Sequence, residues 1–382
     1  MKVVVEGWRS LSHSYAIVNQ WQLLALAKRP EIELRIRDLP FFSPAWQAQP
    51  GLFPPQSAGL IAALKTASSD FVPQATWRVA FPYDLTPAPT GRTLVYGTSE
   101  YRIVPSSYLA PNGSLARAVA DPLLTITTPS HWSAEGFRRL GFADDRIAVV
   151  PHGIDPDLFR PWPDWRARVR AELGLSGFVF MSAGAMTGNK GIDLLLRAFA
   201  TVAARHGDVR LLLKGADALY TSQQFLAQAL KSLSRSEADL VAERLVYRGA
   251  ALSMEQMALL YQAADAYVSP YRAEGFNMPV LEAAACGIPV ICTRGGPTDD
   301  FVTDEFAWRI DSRPLPVAFH GETGTQLEPD ADHLAALMLR IIDDTAFRTA
   351  AALAGPRHAA GQFTWENAID KTISLLSGVL HT

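Results

Sequence analysis

The sequence predicts an α/β protein made of two doubly wound, Rossmann-like domains, and three observations carry that expectation. The chain has 382 residues, more than one hydrophobic core usually serves. Short apolar runs alternate with helical patterns, the signature of an open parallel sheet covered by helices. After a stretch rich in Pro and Trp the alternation starts again. Two sheets with a cleft between them follow, and such sheets bind ligands at the carboxyl ends of their strands.

In the first half, Val3 to Val5 reads as a strand and Tyr15 to Ala27 as a helix. Further strands fall near Glu33 to Ile36, Leu94 to Tyr96, Leu124 to Thr127 and Ile147 to Val150. The segment "PHGIDPDLFRPWPDW", Pro151 to Trp165, lacks sustained periodicity and suits a linker. The second half runs strand Phe178–Ala183, helix Ile192–Ala204, strand Val209–Leu213, helix Met254–Ala264, then strands Ala266–Ser269 and Val290–Cys292. The expected domains are residues 1–162 and 163–362, with a terminal helix over 363–382 packing back on the first.

Composition removes several classes of function. A formal charge of -3 gives no broad basic field for nucleic acid, and no apolar run is long enough to span a membrane. "MKVVVEGW" enters a strand-like run at once, without a signal-peptide pattern, so a cytoplasmic protein is expected. Cys286 and Cys292 read as buried thiols, and the histidines show no metal-binding spacing. No metal or other cofactor is expected.

Chemistry is sought in the loops after the second-half strands. In "SAGAMTGNKGIDLLL", Gly184, Gly188 and Gly191 let backbone approach a ligand, and Lys190 precedes a helix N-terminus. That combination suits an anion, although it is neither a Walker A loop nor GxGxxG. "LLLKG" ends its strand on Lys214, an unusual tip for an apolar strand. In "EGFNMPVLEA", Glu274 follows a strand end, Pro279 suits a helix start and Glu282 falls in that helix's first turn. Carboxylates beside a diphosphate repel it. Hydroxyls are the partners that reward them, and a nucleotide-sugar carries hydroxyls on both sides of its diphosphate.

Glu274-x7-Glu282 within "EGFNMPVLEAAACGIPVI", together with "NKG" at 189–191, "VVPHGID" at 149–155, "GGPTDDFV" at 295–302 and "FTWENAIDKTISLL" at 363–376, resembles the retaining GT-B glycosyltransferases of family 4. The resemblance covers nearly all of the second domain and implies two Rossmann-like domains facing each other across a cleft. It implies that Glu282 binds the ribose hydroxyls, Glu274 the hydroxyls of the transferred sugar and Lys190 the diphosphate. Gly275, Phe276, Asn277 and Met278 then supply backbone donors to the sugar, with Gly188 in the phosphate loop. Thr298 lies near the phosphates and Arg248 with Gly249 beside the base.

Two departures matter. Members usually carry Arg five or six residues before the loop lysine, where Met181 to Ala185 contain none. Lys214 is the natural substitute. Members often place a His after the fourth strand, where "LVYGTSEYRIV" offers Thr98, Ser99 and Glu100. Glu100 becomes a candidate contact to sugar or acceptor, and His13 and Trp8, just after the first strand, are candidates on the acceptor side. His131 reads as a helix-entry residue after Ser130. Asp299 and Asp300 are expected to cap a helix opening at Phe301.

The Pro-rich loop from Leu39 to Pro55 keeps Phe41, Phe42, Trp46 and Phe53 where burial is hard, which suits a sugar face or a lipid tail. Arg138, Arg139, Arg160, Arg166, Arg168 and Arg170 suit either solvated helix faces or peripheral contact with an anionic membrane at its inner face. The resulting expectation is a retaining glycosyltransferase of cell-surface polysaccharide or glycoconjugate biosynthesis. It takes a UDP- or GDP-sugar and a glycan, lipid-linked or small-molecule acceptor. Its alternatives are a catalytically silent binding module and a sugar-nucleotide isomerase or phosphorylase on the same fold.

Overall fold

The computed structural model describes residues 1–111 and 113–378; residues 379–382, the end of the expected terminal helix, lie outside the described residues. The chain divides into two compact units. The first comprises Met1–Gly153, Pro316–Thr325 and Phe363–Thr382, and the second Ile154–Leu315 and Gln326–Gln362. The change of unit after Gly153 falls inside the Pro- and Trp-rich stretch, whose last residues already belong to a helix, Pro163–Leu173.

The first unit holds six parallel strands in the order β2-β1-β3-β4-β5-β6: β1 (Lys2–Gly7), β2 (Glu33–Asp38), β3 (Ala75–Val79), β4 (Arg92–Tyr96), β5 (Leu124–Thr128) and β6 (Ile147–Val149). β3 was not foreseen, because Arg78 interrupts its apolar pattern. That guanidinium is buried and donates through Nε to Glu6 Oε2 at 2.9 Å, so two charges neutralise each other inside the sheet. The order reverses between β1 and β3, which puts a crevice at their carboxyl ends. The helix Trp365–Ser377 lies on the helix Ser14–Ala27, where Trp365 stacks on Trp21 at 6.3 Å and Lys28 donates to Glu366 at 2.6 Å. Gly153 lets its chain pass: a Cβ there would sit 2.1 Å from the Thr364 carbonyl carbon.

The second unit repeats the architecture with the order β12-β11-β10-β7-β8-β9. Its strands are β7 (Phe178–Ala183), β8 (Val209–Lys214), β9 (Leu245–Arg248), β10 (Ala266–Ser269), β11 (Val290–Thr293) and β12 (Ala307–Ile310). Phe180, Leu211, Leu213, Val268 and Ile291 from these strands meet Leu195, Phe199 and Val202 of the helix Ile192–Arg205 in one core. The reversal falls between β7 and β10. Lys190 follows one of these strands and Glu274 the other. A hairpin, β13 (Ser312–Phe319) and β14 (Glu322–Pro329), had no counterpart in the sequence reading.

Candidate functional site

The loops after β7 and β10 are stitched together across the reversal. Asn189 accepts from the N–H groups of Arg272 (2.7 Å) and Ala273 (3.2 Å), and its side-chain amide donates to the Ala273 carbonyl at 3.2 Å. Gly191, at φ 67°, closes the turn: a Cβ would lie 1.9 Å from the Pro270 oxygen, so only glycine fits. Arg272, which sequence reasoning passed over, grips Asp193 with both terminal nitrogens at 2.7 and 2.9 Å, and reaches Glu328 at 3.0 Å and the Gly188 carbonyl at 3.1 Å. Its fork shape makes it the clamp of the loop after β7. The sequence signal was an arginine at a strand-end loop beside Glu274, masked because its partners are remote in the chain.

On this frame Lys190 Nζ donates to Glu274 Oε1 at 2.5 Å, joining the two residues assigned to diphosphate and sugar. The methylenes of Lys190 pass Gly184, whose N–H donates to the Lys214 carbonyl at 2.9 Å. Ala183 and Lys214 are register partners. The two lysines therefore come from adjacent strand ends. Lys214 is buried, its ammonium donates to the Gly215 carbonyl, and burial lowers its pKa to about 8 against the opposing pull of Asp217.

Asn277 takes a left-handed conformation (φ 74°) and ties its amide to Ser269 Oγ at 2.9 Å, which turns the chain into the helix Met278–Ala285. Pro279 sits one residue inside that helix, and Glu282 lies in its second turn rather than its first. The N–H of Val280 is committed to the Asn277 carbonyl at 3.1 Å. Gly275 and Phe276 are buried in the same loop, with Phe276 packed on Phe301 at 4.7 Å, while Met278 is half-buried. Glu282 accepts from the Tyr261 hydroxyl at 2.7 Å, and burial raises its carboxyl to about 7 despite that bond.

Arg248 is exposed beside Lys214, its register partner. Gly249 follows, and a Cβ there would strike the Asp217 carboxylate. That carboxylate is held by the Tyr247 hydroxyl at 2.7 Å and the Gln223 N–H at 2.8 Å. Thr298 is fully buried with its hydroxyl on Tyr271 at 2.8 Å. One expectation needs correction. No helix opens at Phe301: Pro297–Asp300 is a single 3-10 turn, and Asp299 accepts from the Gly295 N–H at 2.7 Å.

In the first unit, His13 caps the helix Ser14–Ala27 by accepting from the Tyr15 N–H at 3.2 Å, and burial lowers its pKa to about 4. Trp8 is buried and donates to the Pro40 carbonyl at 2.9 Å, a core role for most of its ring. The Glu100 carbonyl accepts from Trp132 at 2.8 Å. His131 begins a helix capped by Ser130. The arginine cluster is spent locally: Arg166 and Arg170 hold Asp265, Arg168 holds Glu172, and Arg138 and Arg139 meet Glu135. Among the described residues no group of three or more His, Cys, Asp or Glu is placed to hold a metal ion, and no helix is long and apolar enough to cross a membrane.

Residues 177–344, the span that carries Lys190, Lys214, Glu274 and Glu282, match the sequence profile of the glycosyl transferases group 1. This span belongs to that family. The group 1 span is embedded in a chain similar to a GDP-mannose-dependent alpha-(1-6)-phosphatidylinositol monomannoside mannosyltransferase of Mycolicibacterium smegmatis, 28% identical over 69% of this chain and 64% of the relative. The chain spans roughly half to two thirds of the length of the curated relatives it matches (64%, 47% and 52% for three of them). Around the group 1 span the whole fold is that of the GT-B glycosyltransferases. A sucrose-phosphate synthase of Thermosynechococcus elongatus superposes with a TM-score of 0.70 over 99% of both chains at 16% identity. HepE of Anabaena does so with a TM-score of 0.67 over 99% of this chain and 100% of its own at 16% identity.

Proposed function

We propose that this chain is a retaining glycosyltransferase that moves a sugar from a nucleoside diphosphate to an acceptor hydroxyl. The observation that carries the reading is the Lys190–Glu274 pair at the β7/β10 reversal, with Lys214 on the neighbouring strand end and Glu282 in the following helix. On this reading the two cations serve a diphosphate, and the two carboxylates serve the hydroxyls on either side of it. The M. smegmatis relative is named for GDP-mannose and the HepE structure holds UDP-glucose, which supports a UDP- or GDP-sugar donor.

In the proposed reaction the bond between the sugar's anomeric carbon and the phosphate oxygen breaks as the acceptor oxygen bonds on the same face. The acceptor proton passes to the departing phosphate. Lys190 and Lys214 stabilise the charge that develops there, which is the largest demand on the protein. Glu274 orients the sugar and Glu282 the ribose. Neither is a nucleophile, and the lysines supply the neutralisation a metal gives elsewhere. The acceptor belongs to the first unit, where Glu100 and His13 lie after β4 and β1. A glycan or lipid-linked acceptor at the inner face of a membrane, and so a cytoplasmic protein, suits this chemistry.

A thermal-shift panel of UDP, GDP, ADP and TDP with their sugars tests the donor, since a ligand of the native state raises apparent stability by mass action. Acceptor-dependent release of one diphosphate, with the anomeric configuration kept in the product, is the expected result. Binding without any turnover would favour a silent module, and turnover dependent on inorganic phosphate would favour a phosphorylase.

A further inference from the structure

The carboxyl-end loops of the first unit carry a continuous run of aromatic rings that the donor chemistry does not use. Trp46 lies 5.1 Å from His13, the rings tilted 39° apart, and 6.3 Å from Phe42. Phe42 meets Phe81 at 5.1 Å, and Phe81 meets Tyr108 edge-on at 4.8 Å. Tyr108 in turn contacts Phe319 at 5.7 Å. These rings come from the loops after β1, β2, β3 and β4 and from the tip of the β13–β14 hairpin, and they flank the reversal between β1 and β3. They are not core: Phe42 is 55% exposed, and His13, Trp46, Phe81 and Tyr108 are half-buried.

Polar groups lie along the same run. The Tyr15 and Tyr83 hydroxyls bond each other at 2.7 Å, and Tyr15 also meets the Thr98 hydroxyl at 3.1 Å. Glu100 sits close enough to Tyr83 and Tyr108 to add to the upward push that burial gives both phenols. The arginines of these loops are engaged elsewhere, Arg9 on Asp38 at 2.6 Å and Arg102 on Glu135 and over the Trp132 ring.

Resting on the glycosyltransferase reading, we propose that this face takes a sugar ring of an uncharged glycan acceptor, stacking its C–H face on Trp46 and Phe42 while Glu100 accepts from its hydroxyls. Three features select that ligand. Flat π-faces match the C–H face of a pyranose, whereas an alkyl chain gains equally from any apolar lining. An alkyl chain would also strip water from the Glu100 carboxylate while offering it no donor. A phosphorylated acceptor would face a carboxylate with no uncommitted arginine in these loops.

Calorimetry on the intact protein tests this with maltotriose, cellotriose and mannotriose, with glucose 6-phosphate, and with phosphatidylcholine vesicles containing phosphatidylglycerol. At least one neutral trisaccharide should bind, and Phe42→Ala and Trp46→Ala should each weaken it about tenfold, the equivalent of one lost stacking contact. UDP and GDP affinity should not change. Phe42 is exposed, so its variant should keep the wild-type thermal midpoint and serves if Trp46→Ala does not fold. Binding of the phosphosugar or the vesicles alone, binding of none, or wild-type sugar affinity in Phe42→Ala would overturn the proposal. A wild-type protein that binds no nucleoside diphosphate would instead overturn the donor reading.

Discussion

Replacing Tyr261 by Phe should shift the pH dependence of nucleotide binding upward by about one to two pH units. The Tyr261 hydroxyl donates to Glu282 Oε2 at 2.7 Å inside a fully buried site, and it is the one group acting against the burial that raises Glu282 to about 7. A hydrogen bond to a charged group contributes roughly 1.5–3 kcal/mol, so its loss moves the Glu282 midpoint to about 8–9. At pH 7 about half of the wild-type sites hold Glu282 as the carboxylate proposed to accept ribose hydroxyls, and in the variant only about one in ten to one in a hundred. The Kd for the nucleoside diphosphate should rise about 5- to 50-fold at pH 7 and return to near the wild-type value by about pH 9.5.

Titration calorimetry from pH 6 to 9.5 reads this directly. A loss that is the same at every pH would show that Tyr261 acts through packing alone, and no loss at pH 7 would show that Glu282 does not bind as a carboxylate. Stability must carry the opposite sign. The folded protein holds the Glu282 proton more tightly than the unfolded chain, whose ordinary value is 4.5. Its contribution is therefore most favourable below that value and is lost as pH rises through about 7.

Glu282→Gln should weaken nucleoside diphosphate binding, whereas Glu274→Gln should mainly lower turnover; equal effects on calorimetric affinity would contradict the division of roles. Transfer should persist in excess EDTA, and restoration of a chelated, inactive protein by magnesium or manganese would contradict it. Lys214→Ala should fold yet lose roughly 2–4 kcal/mol of transition-state stabilisation, mostly in kcat. Ala185→Arg in that background should recover part of the rate, and a near wild-type rate for Lys214→Ala would remove Lys214 from the mechanism. Wild-type turnover should also fall as Lys214 deprotonates near pH 8, while the cost of burying its charge, present below about 8, is relieved toward 10.5.

Both doubly wound sheets were legible because strands buried on two faces read as apolar runs, and Phe178–Ala183 and Ala266–Ser269 fall on the residues expected. β3 was hidden by Arg78, whose neutralising partner Glu6 is far away in sequence. Periodicity cannot see such pairs. β9 and β12 escaped as short strands at the sheet edges, where one side needs no apolar cover. The hairpin carries Pro314 and Pro316 in β13, which argue against a strand unless its edge is open.

At the site, the sequence supplied the charged residues but not their connections. Glu274 and Lys190 were assigned to sugar and phosphate, yet nothing in their spacing shows that they pair at 2.5 Å. That contact changes what binding must do. On the proposed reading, a diphosphate arriving at Lys190 meets a cation already neutralised, so it gains affinity only as Glu274 turns to the sugar's hydroxyls. A bare diphosphate leaves the carboxylate without that compensation. On the same reading a second cation is needed, and Lys214 is the candidate for it. Lys214 is held on the Gly215 carbonyl rather than by a short carboxylate contact, and Asp217, the carboxylate that pulls on its charge, is occupied by Tyr247 and Gln223. Of the two lysines it is therefore Lys214 whose charge is less cancelled by its neighbours, and its removal should cost more turnover than the removal of Lys190.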